Sequence, residues 1–314
     1  MLPFSFFDAH CDTLSCCLHL GWDLRSSPGH TDLERGGQFQ RYAQVFAIFH
    51  DAARAPMDGM FAECCRQAEE FFVQMKRNAA LVAPCRTAAD LEQTERAGKC
   101  AAILSIEGAD LLECDPARLE TAAQWGVRLI NLTWNRANAL SGSHLEEPER
   151  GLSAQGKDFV RRAQSLGILV DVSHLSDAGF WDLMDQSEKP VVASHSDARA
   201  LCSNTRNLTD EMFRCICATG GFAGLNFYTP FLGLDHSLDA VFAHLEHFLD
   251  LGGEKYVGFG GDWDGCDRLP DGICGVQDME RIYEGMLRRN YSAELIEDLF
   301  YRNLKRVIFE QSEQ

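Results

Sequence analysis

Eight short apolar runs, at 4–9, 42–49, 101–106, 127–133, 168–173, 191–194, 222–227 and 256–261, alternate with segments of helical period. That alternation predicts an α/β fold of the (β/α)8 TIM-barrel kind, with its active site at the C-terminal ends of the strands. The runs are rich in Val, Ile, Phe and Leu rather than cleanly alternating with polar residues, as parallel strands covered by helices should be. Five of them end at His, Asp or Glu in metal-ligand arrangements, and a barrel collects its strand ends on one face. A doubly wound open sheet is the alternative. It would not bring residues of the first and last strands together, and it usually carries a Gly-rich phosphate loop, absent after residues 4–9.

Taken in order, the first run leads into His10 and Asp12, and the second, 42–49, into His50. Helical period then covers 57–82 and 88–97, and the third run ends at Glu107. Asp115-Pro116 opens a helix over 116–125, Gly126 closes it, and the run 127–133 stops before Trp134. A helix over 154–166, closed by Gly167, precedes the run before His174. Ser176 is the expected N-cap of a helix over 178–186, and the next run meets His195. Thr209 should cap a helix over 210–218, with Gly220 after it, and run 222–227 ends before Tyr228. Helices over 238–251 and 279–289 flank the last run, which stops at Asp262. The stretches 135–148 and 264–276 read as longer excursions over the strand-end face. A final helical stretch, 293–310, is expected to pack on the barrel or on a partner subunit.

The whole chain, 1–314, is expected to form one domain, because α/β barrels of about 250 residues or more commonly do. With 46% hydrophobic and 24% charged residues, it has the composition of a soluble protein with a substantial core. A net charge of −18 argues against nucleic acid or an anionic membrane as a partner, and an anionic substrate group would need its own local cation. Thirteen scattered cysteines without a CxxC pair, a start at 1–7 with no basic n-region and no run of about 18 apolar residues together point to a cytoplasmic chain with reduced thiols.

His10 and Asp12, two apart on an extended strand end, point the same way and can share one cation. His174 and His195 each follow a serine at the end of an apolar run. A histidine that merely satisfies a buried hydrogen bond is the commoner case singly, but two matched endings on consecutive strands favour ligands. Glu107 has two carboxylate oxygens and can bridge a site with His10 and Asp12 on one side and His174 and His195 on the other; a salt-bridged core carboxylate is the blander reading. Paired divalent metals about 3.5–4 Å apart can share a hydroxide and polarise a carbonyl oxygen. Imidazole and carboxylate donors suit Zn2+ first, with Mn2+, Co2+ or Fe2+ as alternatives. Asp262, in a Gly-rich strand end, is placed to carry a proton; Asp264 and Asp267 read as turn residues.

The segments around Asp8-Ala9-His10-Cys11-Asp12, Ser105-Ile106-Glu107-Gly108, Asp171-Val172-Ser173-His174, Ala193-Ser194-His195 and Gly260-Gly261-Asp262 resemble the membrane (renal) dipeptidase family of the metal-dependent amidohydrolase superfamily, in order and in context. The likeness extends over nearly the whole chain. It implies His10 and Asp12 on one zinc, His174 and His195 on the other, Glu107 bridging and Asp262 as the acid/base carboxylate. Arg206 matches the arginine that pairs with the substrate's free carboxylate, in bidentate geometry. One departure is Trp134, which stands where well-known animal members carry a histidine that helps hold the scissile carbonyl oxygen. An indole N–H donates a single hydrogen bond and carries no charge, and Asn135 or Asn138 are the candidate substitutes.

The resemblance implies a dinuclear zinc dipeptidase, a homodimer, acting on small dipeptides that include those with a D-residue at the C-terminal position. Trp134, Asn135, Tyr228 and Arg206 are its expected substrate contacts. Two other readings stay open: a related amidohydrolase acting on another small amide, a lactone or a deaminable base, and a barrel kept for binding after losing turnover.

Overall fold

Alternating apolar runs and helices close into a barrel. A computed structural model describes residues 1–51 and 59–310. Its strands are β1 (Phe6–Cys11), β2 (Tyr42–Phe49), β3 (Val82–Pro84), β4 (Cys100–Glu107), β5 (Val127–Asn131), β6 (Leu169–Asp171), β7 (Val191–Ala193), β8 (Phe222–Leu225) and β9 (Val257–Phe259). Eight are all parallel in the order β2-β1-β9-β8-β7-β6-β5-β4, and β2 pairs β4 from Ala43↔Ala101 to Phe49↔Glu107. That last pairing closes the ring and rules out the open doubly wound sheet. The ninth, β3, was not expected; its three residues pair with Cys100–Ala102 at the lower end of β4, where β5 has not yet joined.

The expected helices are found, most with ends shifted by one or two residues. The segment 57–82 forms Met60–Arg77, its first two positions lie outside the described residues, and its last belongs to β3. Ser176 and Thr209 accept hydrogen bonds from the backbone N–H groups of Gly179 and Met212, and Gly126 ends its helix at φ 87. Three short helices, Thr13–Leu20, Leu33–Gly36 and Thr229–Leu232, lie in segments read as connections.

The barrel interior has a dry floor and a polar upper half. Phe7, Ala9, Ala43, Val45, Ala101, Ile103, Leu129 and Leu169 point into the floor and meet Tyr301, Leu304, Val307, Ile308 and Phe309 from below. The stretch 293–310 thus packs against the barrel, as a plug under the N-terminal ends of the strands. It is helical at Ala293–Glu297 and Asn303–Lys305 and widens to π turns elsewhere. Arg306 fastens the plug by donating to the carbonyls of Gly220, Gly221 and Lys255, and Asn303 donates to those of Glu254 and Val257.

A β-bulge in β1 sets what stands above the floor. Asp8 pairs with Gln44 and Cys11 with Phe46, so three residues of β1 span two of β2. Simple alternation from Phe7 and Ala9 would turn Cys11 inward. The extra residue instead sends Cys11 to the outer core and leaves His10 and Asp12 to face the barrel axis. Asp8 holds the bulge: its carboxylate accepts from the backbone N–H of His10 (3.0 Å) and of Gly261 (2.9 Å) and from Gln44 Nε2 (2.9 Å). Asp171 ties β6 to β7 in the same way, accepting from Ser173 and Ser194 N–H, and Asp197 accepts from Asn226 N–H beyond β8.

Candidate metal centre

Glu107, the last residue of β4, stands at the middle of the upper barrel with both carboxylate oxygens engaged. Oε2 lies 3.5 Å from His10 Nε2. Oε1 lies 3.0 Å from His174 Nε2 and 3.3 Å from His195 Nε2. Asp12 Oδ2 is 3.7 Å and Asp262 Oδ1 4.0 Å from His10 Nε2. Ligand atoms around one tetrahedral zinc are about 3.3 Å apart, and these separations suit donors gathered around a cation.

The polar atoms of the site are incompletely matched among themselves. His10 Nε2 and Asp12 Oδ1 are buried without a hydrogen-bond partner, and the Nε2 atoms of His174 and His195 face each other at 3.1 Å. The other ring nitrogens are committed. His174 Nδ1 donates to the amide oxygen of Asn135 (2.9 Å), and His195 Nδ1 meets Ser194 Oγ at 2.6 Å, which turns both Nε2 lone pairs inward. The donor set fits divalent cations, and the two groups His10–Glu107–His195 and His10–Asp12–Asp262 each have their ligand atoms within 4.8 Å of one another.

The protonation pattern of the protein groups alone says the same. Burial alone would depress His10, but the charges of the Glu107 and Asp12 carboxylates outweigh it and hold the imidazole well above its usual range. Burial opposes ionisation of Glu107, yet His10, His174 and His195 keep it well below the carboxylate range. Burial pushes Asp12 up to about 7, with the Glu107 charge adding to it, and raises Asp262. His174 falls to about 4 and His195 well below its usual value, both through burial first. Three carboxylates gathered in one buried space call for positive charge beside them. A metal cation would supply it.

The local backbone is shaped for this convergence. His174 and Asp262 both take left-handed φ values, 72° and 56°, which non-glycine residues adopt at a cost and usually at functional positions. Gly265 is needed beside them: a Cβ there would lie 2.0 Å from Asp12 Oδ2 and 2.3 Å from Asp262 Oδ1. Asp262 Oδ2 accepts from Asn226 Nδ2 at 3.1 Å, leaving Oδ1 directed at the metal-ligand cluster. Asp264 is a structural residue, its carboxylate accepting from Thr13 Oγ1 and the backbone N–H of His30.

Above the cluster lies a cavity of about 400 Å³ lined by Asp12, Glu107, His174 and Asp262 together with Trp134, Asn135, Tyr228, Phe231 and Asp267. Leu145 and Cys266 also line it, so both excursions contribute to its walls. Trp134 packs edge-on against Phe49, with ring centroids 5.0 Å apart, and also lines a neighbouring cavity of about 450 Å³ with Asn138. The amide oxygen of Asn135 is occupied by His174 and by a residue that sequence reading missed, His144, whose Nε2 lies 3.0 Å away. Burial, and then the Arg206 charge, pushes His144 down to about 2, so it stays neutral. Tyr228 accepts at its hydroxyl from Arg268.

Arg206 is buried, donates through Nη1 to Ser196 Oγ at 2.6 Å, and has no partner for Nε or Nη2. A guanidinium edge left open in this way is what a carboxylate would close with two parallel hydrogen bonds. The Arg206 guanidinium lies 5.7 Å from the ring centroid of Phe231, which lines the cavity above the cluster.

Comparison with known proteins follows the geometry. The family model for membrane dipeptidase, peptidase family M19, matches residues 1–314. An uncharacterized protein from the pqqA 5' region of Klebsiella pneumoniae is 34% identical over 236 residues, 71% of this chain and 87% of that one. Dipeptidase tcpJ of Claviceps purpurea is 28% identical over 297 residues, 90% of this chain and 69% of its own. Among solved structures, a metallopeptidase of Rhodobacter sphaeroides liganded with a phosphinate mimic of the dipeptide L-Ala-D-Ala superposes with TM-score 0.89 at 27% identity, over 98% of this chain and 99% of that one. Dipeptidase AC, a metallopeptidase of family M19, gives TM-score 0.89 at 28% identity over 99% of each chain.

Proposed function

The chain belongs to the membrane dipeptidase family, peptidase family M19, and on that premise we propose that it is a dinuclear zinc dipeptidase whose substrates include dipeptides with a D-residue at the C-terminal position. The observation that carries this reading is Glu107, whose two oxygens face His10 on one side and His174 and His195 on the other. His10 and Asp12 would hold one cation, His174 and His195 the second, with Glu107 between. Bound there, the two cations would activate a water and polarise the scissile carbonyl.

The chain's own residues supply the rest. Arg206 takes the free carboxylate of the substrate along its open guanidinium edge, which orients the peptide and selects against longer chains. Asp262, held by Asn226 and raised by burial, accepts the proton of the attacking water at Oδ1 and returns it to the departing amine. Trp134, Asn135 and Tyr228 shape the cavity around the substrate side chains, and Trp134 replaces a charged imidazole with a flat apolar wall. The phosphinate dipeptide bound by the Rhodobacter relative supports the L–D substrate class.

Cytoplasmic residence belongs to the same reading, supported by thirteen cysteines of which none forms a disulfide. No helix among the described residues is long and apolar enough to cross a membrane. A homodimer is proposed from the family resemblance, and so is one domain over 1–314. The test is a panel of L–L and L–D dipeptides on zinc-loaded protein, with metal counted on the same sample. We expect hydrolysis of several dipeptides at two zinc ions per catalytic centre, and loss of both metal loading and turnover in Glu107→Gln. Activity confined to other amides or lactones, or full activity in Glu107→Gln, would overturn the assignment.

A further inference from the structure

Outside the Glu107 centre, His19, His50 and Glu63 bring ligand atoms within 4.8 Å of one another. They come from three separate elements: the last turn of Thr13–Leu20, the residue that follows β2, and the first turn of Met60–Arg77. From this convergence we propose that these three side chains form an additional, independent zinc site at the rim of the barrel mouth.

Two imidazoles and one carboxylate are a donor set that zinc takes in open, exchangeable sites, with a fourth position left for water. His19 Nε2 and Glu63 Oε1 are 2.7 Å apart, in hydrogen-bond contact. Two ligand atoms on one tetrahedral zinc stand about 3.3 Å apart, so this pair has only to open slightly while His50 closes on it. An ordinary His–Glu ion pair accounts for His19 and Glu63. The third donor, His50, reaches the same point from a different element, the end of β2.

The carboxylate is held ready as metal ligands usually are, by neighbours that fix its orientation. Glu63 is fully buried. Its Oε2 accepts from Arg66 Nε at 3.0 Å, and its Oε1 accepts from Gln67 Nε2 at 2.9 Å. Gln67 in turn accepts from Phe49 N–H and donates to Phe49 C=O. One glutamine thus registers the carboxylate-bearing helix against the end of β2, one residue before His50. Burial works against ionisation of Glu63, but the hydrogen bonds of Gln67 and Arg66 overcome it and keep the carboxylate charged, as a metal ligand must be.

An entry path is present. A cavity of about 250 Å³ is lined by His19 and His50, with Asp51 on the same wall. His19 is the most open of the three, its side chain one-third exposed, so an ion can exchange with solvent. The cavity also touches Asp12, so the site adjoins the catalytic mouth without sharing a ligand with it. The chain's net charge of −18 raises the local concentration of cations.

The test uses the zinc-loaded full chain, equilibrated at micromolar zinc. Zinc per chain is counted in the native protein and in His19→Ala, and dipeptide turnover is measured on the same samples. We expect the native protein to hold one zinc more than His19→Ala, with turnover of the variant unchanged. An anomalous peak at the zinc edge should lie between His19, His50 and Glu63, and should vanish in the more buried substitution His50→Gln. An equal zinc count in native and His19→Ala, or an anomalous map with zinc at the Glu107 centre and none here, would overturn the proposal. Failure of the Glu107 centre itself is read separately, as lost turnover in the native protein.

Discussion

Asn135 holds two histidines through a single amide oxygen, accepting from His174 Nδ1 and His144 Nε2. Its first duty is therefore to orient a proposed metal ligand, and substrate contact comes second. Asn135→Ala should weaken metal retention on the order of 10–100-fold in a chelator competition, while Asn135→Asp, which keeps the acceptor, should retain it. Asp262→Asn removes the proton acceptor but keeps the Asn226 contact. Turnover should fall on the order of 10²–10⁴-fold with zinc content unchanged; a variant that also loses metal would mark Asp262 as a ligand instead of a proton carrier. Arg206→Met should raise KM for dipeptides far more than for dipeptide amides, which lack the anionic end. Residues at the ends of apolar runs were legible because burial and chemistry coincide there: Glu107, His174, His195 and Asp262 announce themselves. His144 was not, since it sits in an excursion with no apolar run before it and is placed only by tertiary folding.

At the scale of elements, eight strands could be read from their apolar runs because a parallel barrel buries both faces of every strand. The ninth, β3, escaped because three residues ending in proline carry no period, and it exists only where β4 offers a free lower edge. The bulge in β1 escaped for another reason: an inserted residue changes which side chains face inward without changing composition. His10 and Asp12 were correctly seen to face the same way. That they face the axis while Phe7 and Ala9 do so too depends on the bulge. The stretch 293–310 was legible as helical, but whether it met the barrel or a partner was not, because an apolar helix face does not say which surface it covers. Leu304→Ala should cost about 2–5 kcal/mol in denaturant unfolding, as a truncation in a packed floor does, and leave metal content intact.

For the molecule as a whole, stability should depend on pH through histidines kept neutral by burial. His244 accepts at Nδ1 from the backbone N–H of Ala198 and donates through Nε2 to the Leu232 carbonyl, and burial lowers its pKa. Its unfolded form takes a proton near 6.5 while the folded form resists. Its contribution is therefore complete above about pH 6.5 and is lost as pH falls from there toward the lowered folded value. Between pH 7 and 5 His244→Asn, though less stable throughout, should lose less melting temperature than the native protein does; parallel profiles would refute the linkage. Closure of the ring has a consequence for biosynthesis. β1 can find its neighbour β9 only after residues 257–259 have emerged, and the floor stays open until 293–310 has followed. While the ribosome is still translating, the greasy lower rim has nothing to sit on. Nascent chains stalled short of that plug should bind a hydrophobic chaperone, and release from it should coincide with the plug's arrival.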